Sequence, residues 1–172
     1  MNDFEIKLGS ISSGSNYFLF EIKDSFFEEF ILSDVEYANI KAKAALDKEG
    51  DRLYLTLTID GEINRLLCDI CTDEMSVDIN AKTKVIIKKS NEDLVSTDEI
   101  FYVKKSENAI DLKQLIFELI ILNVPKKRQH TLNDDGSSKC SNEMIELVNK
   151  YRIAEEKSSD PRWDALKKLK IK

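Results

Sequence analysis

Histidine occurs once, as His130, and cysteine three times, as Cys68, Cys71 and Cys140. A single imidazole argues against a Ser/His/Asp catalytic arrangement, and an odd number of cysteines argues against a disulfide framework. With five glycines and two prolines among 172 residues, no Gly-rich phosphate loop is present. Apolar runs are short: the richest, Leu115 to Leu122, is interrupted by Glu118 and falls short of the roughly 18 apolar residues a spanning helix needs. The start, Met1-Asn2-Asp3-Phe4-Glu5-Ile6-Lys7, lacks the basic segment and following apolar block of a secretory signal. A reducing cytoplasm is therefore expected, a setting in which thiols bind metal or stay buried. Internal repeats, low-complexity tracts and an RNA-stacking motif are also missing. The net charge of −6 argues against a protein that coats nucleic acid by bulk electrostatics, so any RNA contact would have to be local. The acidic residues show no distinctive catalytic pair.

What is present suits one folded domain: 42% hydrophobic and 34% charged residues allow a core beneath a heavily charged surface. Much of the chain has the two-residue period of half-buried strands. Phe4, Ile6 and Leu8 alternate with charged residues, Gly9 to Gly14 is a small-residue turn, and Tyr17 to Ile22 is a second strand. Phe26, Phe27, Phe30 and Ile31 suggest a helical turn capped by Asp24 or Ser25. Ile40, Ala42, Ala44 and Leu46, then Leu53, Leu55, Leu57 and Ile59, read as a hairpin. Asp60-Gly61 predicts a tight turn into a further strand, Glu62 to Leu67. After Cys71, alternation resumes at Met75, Val77, Ile79 and Ala81, placing the cysteine pair at a bend between antiparallel strands. Ser90 to Glu99 reads as a polar loop and Ile100 to Lys104 as a short strand.

From Asp111 the pattern is helical. Leu112, Leu115, Ile116, Leu119 and Leu122 share a stripe, Asp111 and Gln114 form a box-like start, and Pro125 is the stop. Apolar residues on nearly all sides predict burial of both faces of this helix. Pro125 to Cys140 is a polar connection, and its length needs something to tie it down. Met144, Ile145, Leu147, Val148 and Tyr151 form a second helical face, and Asp160-Pro161-Arg162-Trp163 starts a third helix.

Two thiols separated by two residues, Cys68 and Cys71, fit either metal ligation or incidental buried cysteines. A redox role fits poorly because the following segment alternates like a strand instead of opening a helix that would stabilise a thiolate. His130 and Cys140 bracket the polar connection. Together the four form a closed set of three thiolates and one imidazole, the chemistry of structural Zn2+. Basic residues at Lys126, Lys127 and Arg128 and in the tail, including Arg162, Lys167 and Lys168, are either local RNA contacts or ordinary solvated surface.

The motifs Leu66-Leu67-Cys68-Asp69-Ile70-Cys71, Asp111-Leu112 through Leu115 to Pro125, and Asp160-Pro161-Arg162-Trp163-Asp164-Ala165-Leu166-Lys167-Lys168-Leu169 resemble the YceD family, the large ribosomal RNA subunit accumulation proteins. The resemblance covers about the C-terminal two thirds of the chain. It implies a non-enzymatic factor whose partners are ribosome assembly components or ribosomal RNA, reached directly or indirectly, with no membrane and no small-molecule substrate identified. Typical members often carry a second close cysteine pair after the proline-terminated helix; here only Cys140 stands there, with His130 in place of the missing thiol.

The expected architecture is α+β: an antiparallel β-rich meander or barrel-like body (1–105), a buried helix, metal loop and second helix (106–157), and a C-terminal helix (158–172), all in one domain clipped by structural zinc. In that C-terminal helix, Trp163 is a partner anchor or a lid on the protein's own core, with Arg162, Lys167 and Lys168 available to a partner or RNA. Two other readings stand beside the scaffold: a zinc enzyme with a water on a tris-thiolate metal, and a metal-free adaptor.

Overall fold

The computed structural model describes residues 4–30, 33–50, 52–97, 99–133 and 135–151. The chain begins with β1 (Glu5–Lys7), a single 3-10 turn (Leu8–Ser10), β2 (Gly14–Ile22) and the short helix α1 (Asp24–Phe27). Three long strands follow, β3 (Tyr37–Glu49), β4 (Arg52–Leu67) and β5 (Glu74–Ser90), then β6 (Ile100–Lys104), β7 (Ala109–Asp111), α2 (Lys113–Asn123) and α3 (Asn142–Tyr151). The main sheet has the order β2-β3-β4-β5-β6, while β1 and β7 form a separate antiparallel pair.

Alternation determines which side of the sheet is buried. Ile40, Ala42, Ala44 and Leu46 of β3 face Leu55, Leu57 and Ile59 of β4, all fully buried, and Ile79, Ala81, Val85 and Ile87 extend that face onto β5. Helix α2 covers it with Ile116, Leu119 and Ile120. Each fully buried Leu or Ile contributes about 1.5–3 kcal/mol through removal of apolar surface from water. Phe30 of the α1 region stacks on Phe117 of α2, with ring centroids 3.7 Å apart, which joins the two helical segments over one end of the sheet.

Several sequence expectations are corrected. Asp60-Gly61 is not a turn: β4 runs through it without a break, Ile40 pairing with Gly61 and Ile79 lying on its other side. Glycine serves there because its φ is +156° and an added Cβ would lie 2.3 Å from the carbonyl oxygen of Asn39. The body is an open sheet with β2 and β6 at its edges, not a barrel, and β6 lies parallel to β5, alongside the strand that precedes it. Only one side of α2 is buried, since Leu122 is 82% exposed.

Capping also differs from expectation. Asp111 accepts a hydrogen bond from the Lys113 amide, but Gln114 donates to Glu118 and does not complete a box. Asp24 opens α1 without capping it, and instead accepts from the Ala38 amide at the start of β3. Val124 leaves α2 in an extended conformation, as the residue before Pro125 must. Ile31 and the motif Asp160 to Leu169, with Arg162, Trp163, Lys167 and Lys168, lie outside the described residues. No helix among the described residues is long and apolar enough to cross a membrane.

Candidate metal centre

The cysteine pair is positioned by a defect in strand pairing. Along β4, odd-numbered residues up to Ile63 face the core. The register with β5 then shifts between Ile63 and Leu66, and Arg65 adopts a left-handed conformation with φ 56°. Such a bulge reverses the phase of the strand, so the even-numbered Leu66 and Cys68 become the buried residues, 2% and 1% exposed. Without the shift, Cys68 would emerge on the side of Asp60 and Glu62.

The turn after β4 wraps the sulfurs inward. The Thr72 amide donates to the Cys68 carbonyl at 2.9 Å and the Cys68 amide to the Asp73 carbonyl at 3.0 Å, while the Ile70 amide points at the Cys68 sulfur from 3.5 Å. Thr72 takes the left-handed conformation, φ 59°, that closes the turn.

The other two donors arrive from the connection between α2 and α3. Asp69 and Arg128 exchange hydrogen bonds: the Asp69 amide donates to the Arg128 carbonyl and the Arg128 amide to the Asp69 carboxylate, both at 2.7 Å. The Arg128 guanidinium pairs with Asp34 at 3.2 Å. Arg128 is thereby a clamp between the cysteine turn and Asp34, while Lys126 and Lys127 are exposed. Two residues on, the Nε2 of His130 faces the Glu74 carbonyl at 3.4 Å, leaving Nδ1 toward the sulfurs. A backbone carbonyl on the outer nitrogen is the usual means of fixing the tautomer of a ligating imidazole.

Further along, the connection has local order that its composition did not suggest. Leu132 bridges Ser138, and the Asn133 amide donates to the Ser137 carbonyl at 2.8 Å. Gly136, with φ +80°, makes the turn between them. Cys140 follows, its amide donating to the Ser138 hydroxyl, and Met144 and Ile145 of α3 pack against the cysteines. Helix α3 has no buried residue of its own, so its apolar stripe is only partly covered.

All four expected donors converge: the sulfurs of Cys68, Cys71 and Cys140 and a ring nitrogen of His130 lie within 4.8 Å of one another. Cys68 and Cys140 sulfurs are 3.6 Å apart, and His130 Nδ1 is 3.5 Å from both Cys71 and Cys140 sulfurs. A tetrahedral zinc with bonds of about 2.3 Å to sulfur and about 2.0–2.1 Å to nitrogen separates its ligands by roughly 3.5–3.8 Å, so the donor set fits such an ion. The three thiols are free and buried.

Their electrostatics are divided. Burial pushes the Cys68 thiol up, but hydrogen bonds from the Cys71, Ile70 and His130 backbones and the Cys140 side chain outweigh it and lower its pKa from 9.0 to about 6. Burial raises Cys71 to about 12. His130 is raised by its contact with the Cys140 sulfur. The set thus combines a thiol whose ionisation is favoured, Cys68, with one whose ionisation is disfavoured, Cys71, and a cation bound by the thiolates would displace protons from the set.

The family model described as large ribosomal RNA subunit accumulation protein YceD matches residues 55–170. The chain belongs to the YceD family. No curated protein and no solved structure matches it. The part matched in this YceD-family protein takes in all four converging donors, the β4–β5 turn that carries two of them, and α2 and α3. The positioning roles of Asp69, Arg128 and the Glu74 carbonyl escaped sequence reading because Asp69 and Arg128 are 59 positions apart and Arg128 drew notice only for its charge. The position of Asp69 between the cysteines was the only available hint.

Proposed function

We propose that this protein is a non-enzymatic, cytoplasmic factor that supports accumulation of large-subunit ribosomal RNA and ribosome assembly. In this reading residues 1–172 form one domain, and Cys68, Cys71, His130 and Cys140 close on a structural Zn2+. The family description supplies the ribosomal link. The observation that carries the scaffold reading is the convergence of four donors within 4.8 Å, which leaves no ligand position for a substrate or water. A zinc enzyme would need His130 withdrawn, but its Nδ1 sits 3.5 Å from two of the sulfurs and its other nitrogen faces a backbone carbonyl.

Two measurements test this. X-ray absorption of purified protein is expected to show a zinc shell of three sulfurs and one nitrogen; an oxygen ligand supports the enzyme reading, and absence of stoichiometric metal supports the metal-free adaptor. In cells lacking the gene, the ratio of large- to small-subunit ribosomal RNA is expected to fall and to recover with the wild-type chain but not with Cys68→Ser. An unchanged ratio would refute the ribosomal role. The run Asp160 to Leu169, with Trp163 as anchor and Arg162, Lys167 and Lys168 as cations, is assigned to docking; a truncation at residue 158 that remains stable and still co-sediments with ribosomal particles would remove that assignment.

A further inference from the structure

The helices cover one side of the main sheet, and the opposite side has no element packed across it among the described residues. Register places on this uncovered side Tyr17 and Leu19 of β2, Lys41, Lys43 and Asp47 of β3, Arg52, Tyr54, Thr56 and Thr58 of β4, and Lys82, Lys84 and Lys88 of β5. Its charge is polarised along the strands. Toward the β3–β4 hairpin end lie Lys43, Arg52, Lys82, Lys84 and Lys88 against Asp47 and Glu49; toward the metal end lie Glu21, Asp60, Glu62 and Asp78 against Lys41.

The basic half differs from a routine solvated surface in two respects. First, among the described residues none of its five cations is in a salt bridge, although the chain as a whole carries a charge of −6. Asp47, the acid in their midst, accepts a hydrogen bond from Ser15 at 2.5 Å. Second, aromatic rings lie among them. Tyr17 is 62% exposed with Lys43 Nζ 4.8 Å from its ring centre, and Lys84 Nζ is 5.6 Å from the ring centre of Tyr54. Lys82, Lys84 and Lys88 share one side of β5, where alternate residues recur every 7 Å or so.

We infer that this half-face binds single-stranded RNA, the bases stacking on Tyr17 and Tyr54 and the phosphates meeting Lys43, Lys82, Lys84 and Lys88. An exposed ring, Tyr17, and a half-buried one, Tyr54, beside cations on an open sheet provide the two contacts that single strands use, base stacking and phosphate neutralisation. A duplex keeps its bases stacked inside and offers none to the tyrosines. The inference rests on the RNA-linked role proposed above and specifies the surface that would serve it.

The test is fluorescence anisotropy of the full-length protein with a labelled single-stranded oligouridine of about twelve nucleotides, a length a surface of this kind can span. The double variant Lys82→Glu/Lys84→Glu is expected to weaken binding at least tenfold. Loss of these two phosphate contacts should make the salt dependence shallower by about 1.4, at roughly 0.7 per phosphate contact on a single strand. Tyr17→Ser should weaken binding about fivefold or more through lost stacking, and Asp78→Asn in the acidic half should leave affinity unchanged.

Metal content and melting temperature identify variants that fail to fold, and Lys43→Glu/Lys88→Glu provides a second charge pair. Absence of binding near 50 mM salt overturns the inference, as does equal affinity for a duplex of the same length. Charge-dependent binding that ignores Tyr17 and is competed by polyglutamate would make the face a site for acidic protein and overturn it too. If oligouridine binding fails while the wild-type chain restores the ribosomal RNA ratio, the surface assignment falls and the functional reading stands; an unchanged ratio in cells lacking the gene has the opposite effect.

Discussion

Removal of one metal ligand is predicted to free the connection between α2 and α3 while leaving the sheet intact. Among the described residues of 125–140, only Cys140 belongs to the buried interior. Fixing these sixteen residues costs on the order of 16 kcal/mol at about 1 kcal/mol each in backbone entropy. Four hydrogen-bonded or ionic contacts tie them to the rest of the protein, two between Asp69 and Arg128, one from Arg128 to Asp34 and one from His130 to Glu74. At about 1 kcal/mol net apiece these return roughly 4 kcal/mol. Hydrogen bonds within the segment, such as those of Asn133 with Ser137 and of Cys140 with Ser138, offset several kcal/mol more, and what remains lies within what a structural zinc can supply. Cys68→Ser, or removal of the metal by a chelator, should therefore lower amide exchange protection at least a hundredfold across 125–140. Protection in β3, β4 and the first half of β5, where the core is apolar, should be retained. Hydrogen exchange resolved by peptide reads both at once. Unchanged exchange across 125–145 in the Cys68→Ser protein would refute the reasoning, because the segment would then be held by contacts other than the cluster.

Other expectations follow from the same geometry. Gly61→Ala forces a Cβ against the Asn39 carbonyl oxygen at 2.3 Å and into a strained conformation, so it should cost about 1–3 kcal/mol or more in denaturant melts; a change below about 0.5 kcal/mol would contradict the close approach. Asp69→Ala removes the acceptor for the Arg128 amide and should accelerate exchange at 126–130 and weaken metal retention, with metal competition as the assay. In the metal-free protein, thiolate ultraviolet absorbance should show a first step near pH 6, from Cys68, and no ionisation of Cys71 until far above the ordinary 9.0. The sign for Cys68 is that of a depressed pKa: its thiolate stabilises the folded apo form above pH 9.0, and that contribution is lost as pH falls toward about 6. A single step near 9 would show that the amide hydrogens around Cys68 do not act on its sulfur.

The parts legible in the sequence were those with a local period or a scarce chemistry. Alternation at Ile40 to Leu46, Leu53 to Ile59 and Met75 to Ala81 survives folding because those strands each have one dry side. The convergent donor set was legible because the chain has so few thiols and imidazoles that four donors could be named without knowing the path between them. Asp60-Gly61 misled because the dipeptide is a turn signal, although Leu57, Ile59 and Ile63 keep the same phase across it. The parallel placement of β6, the Asp69–Arg128 clamp and the shared face of Tyr17, Tyr54 and Lys84 depend on register between distant segments, which no local window contains. Exposure of Leu122 shows the reverse limit: composition announces an apolar helix but not how much of the sheet is available to cover it.

The sulfurs of Cys68 and Cys140 are separated by 72 positions. A growing polypeptide leaving the ribosome can pair β2 with β3 and β3 with β4 as each hairpin emerges, yet it cannot complete the cluster until the last cysteine has cleared the exit tunnel. Closure of the four-donor cluster therefore comes after the sheet can form, and a nascent chain cut short before that cysteine would have a sheet but no clasp.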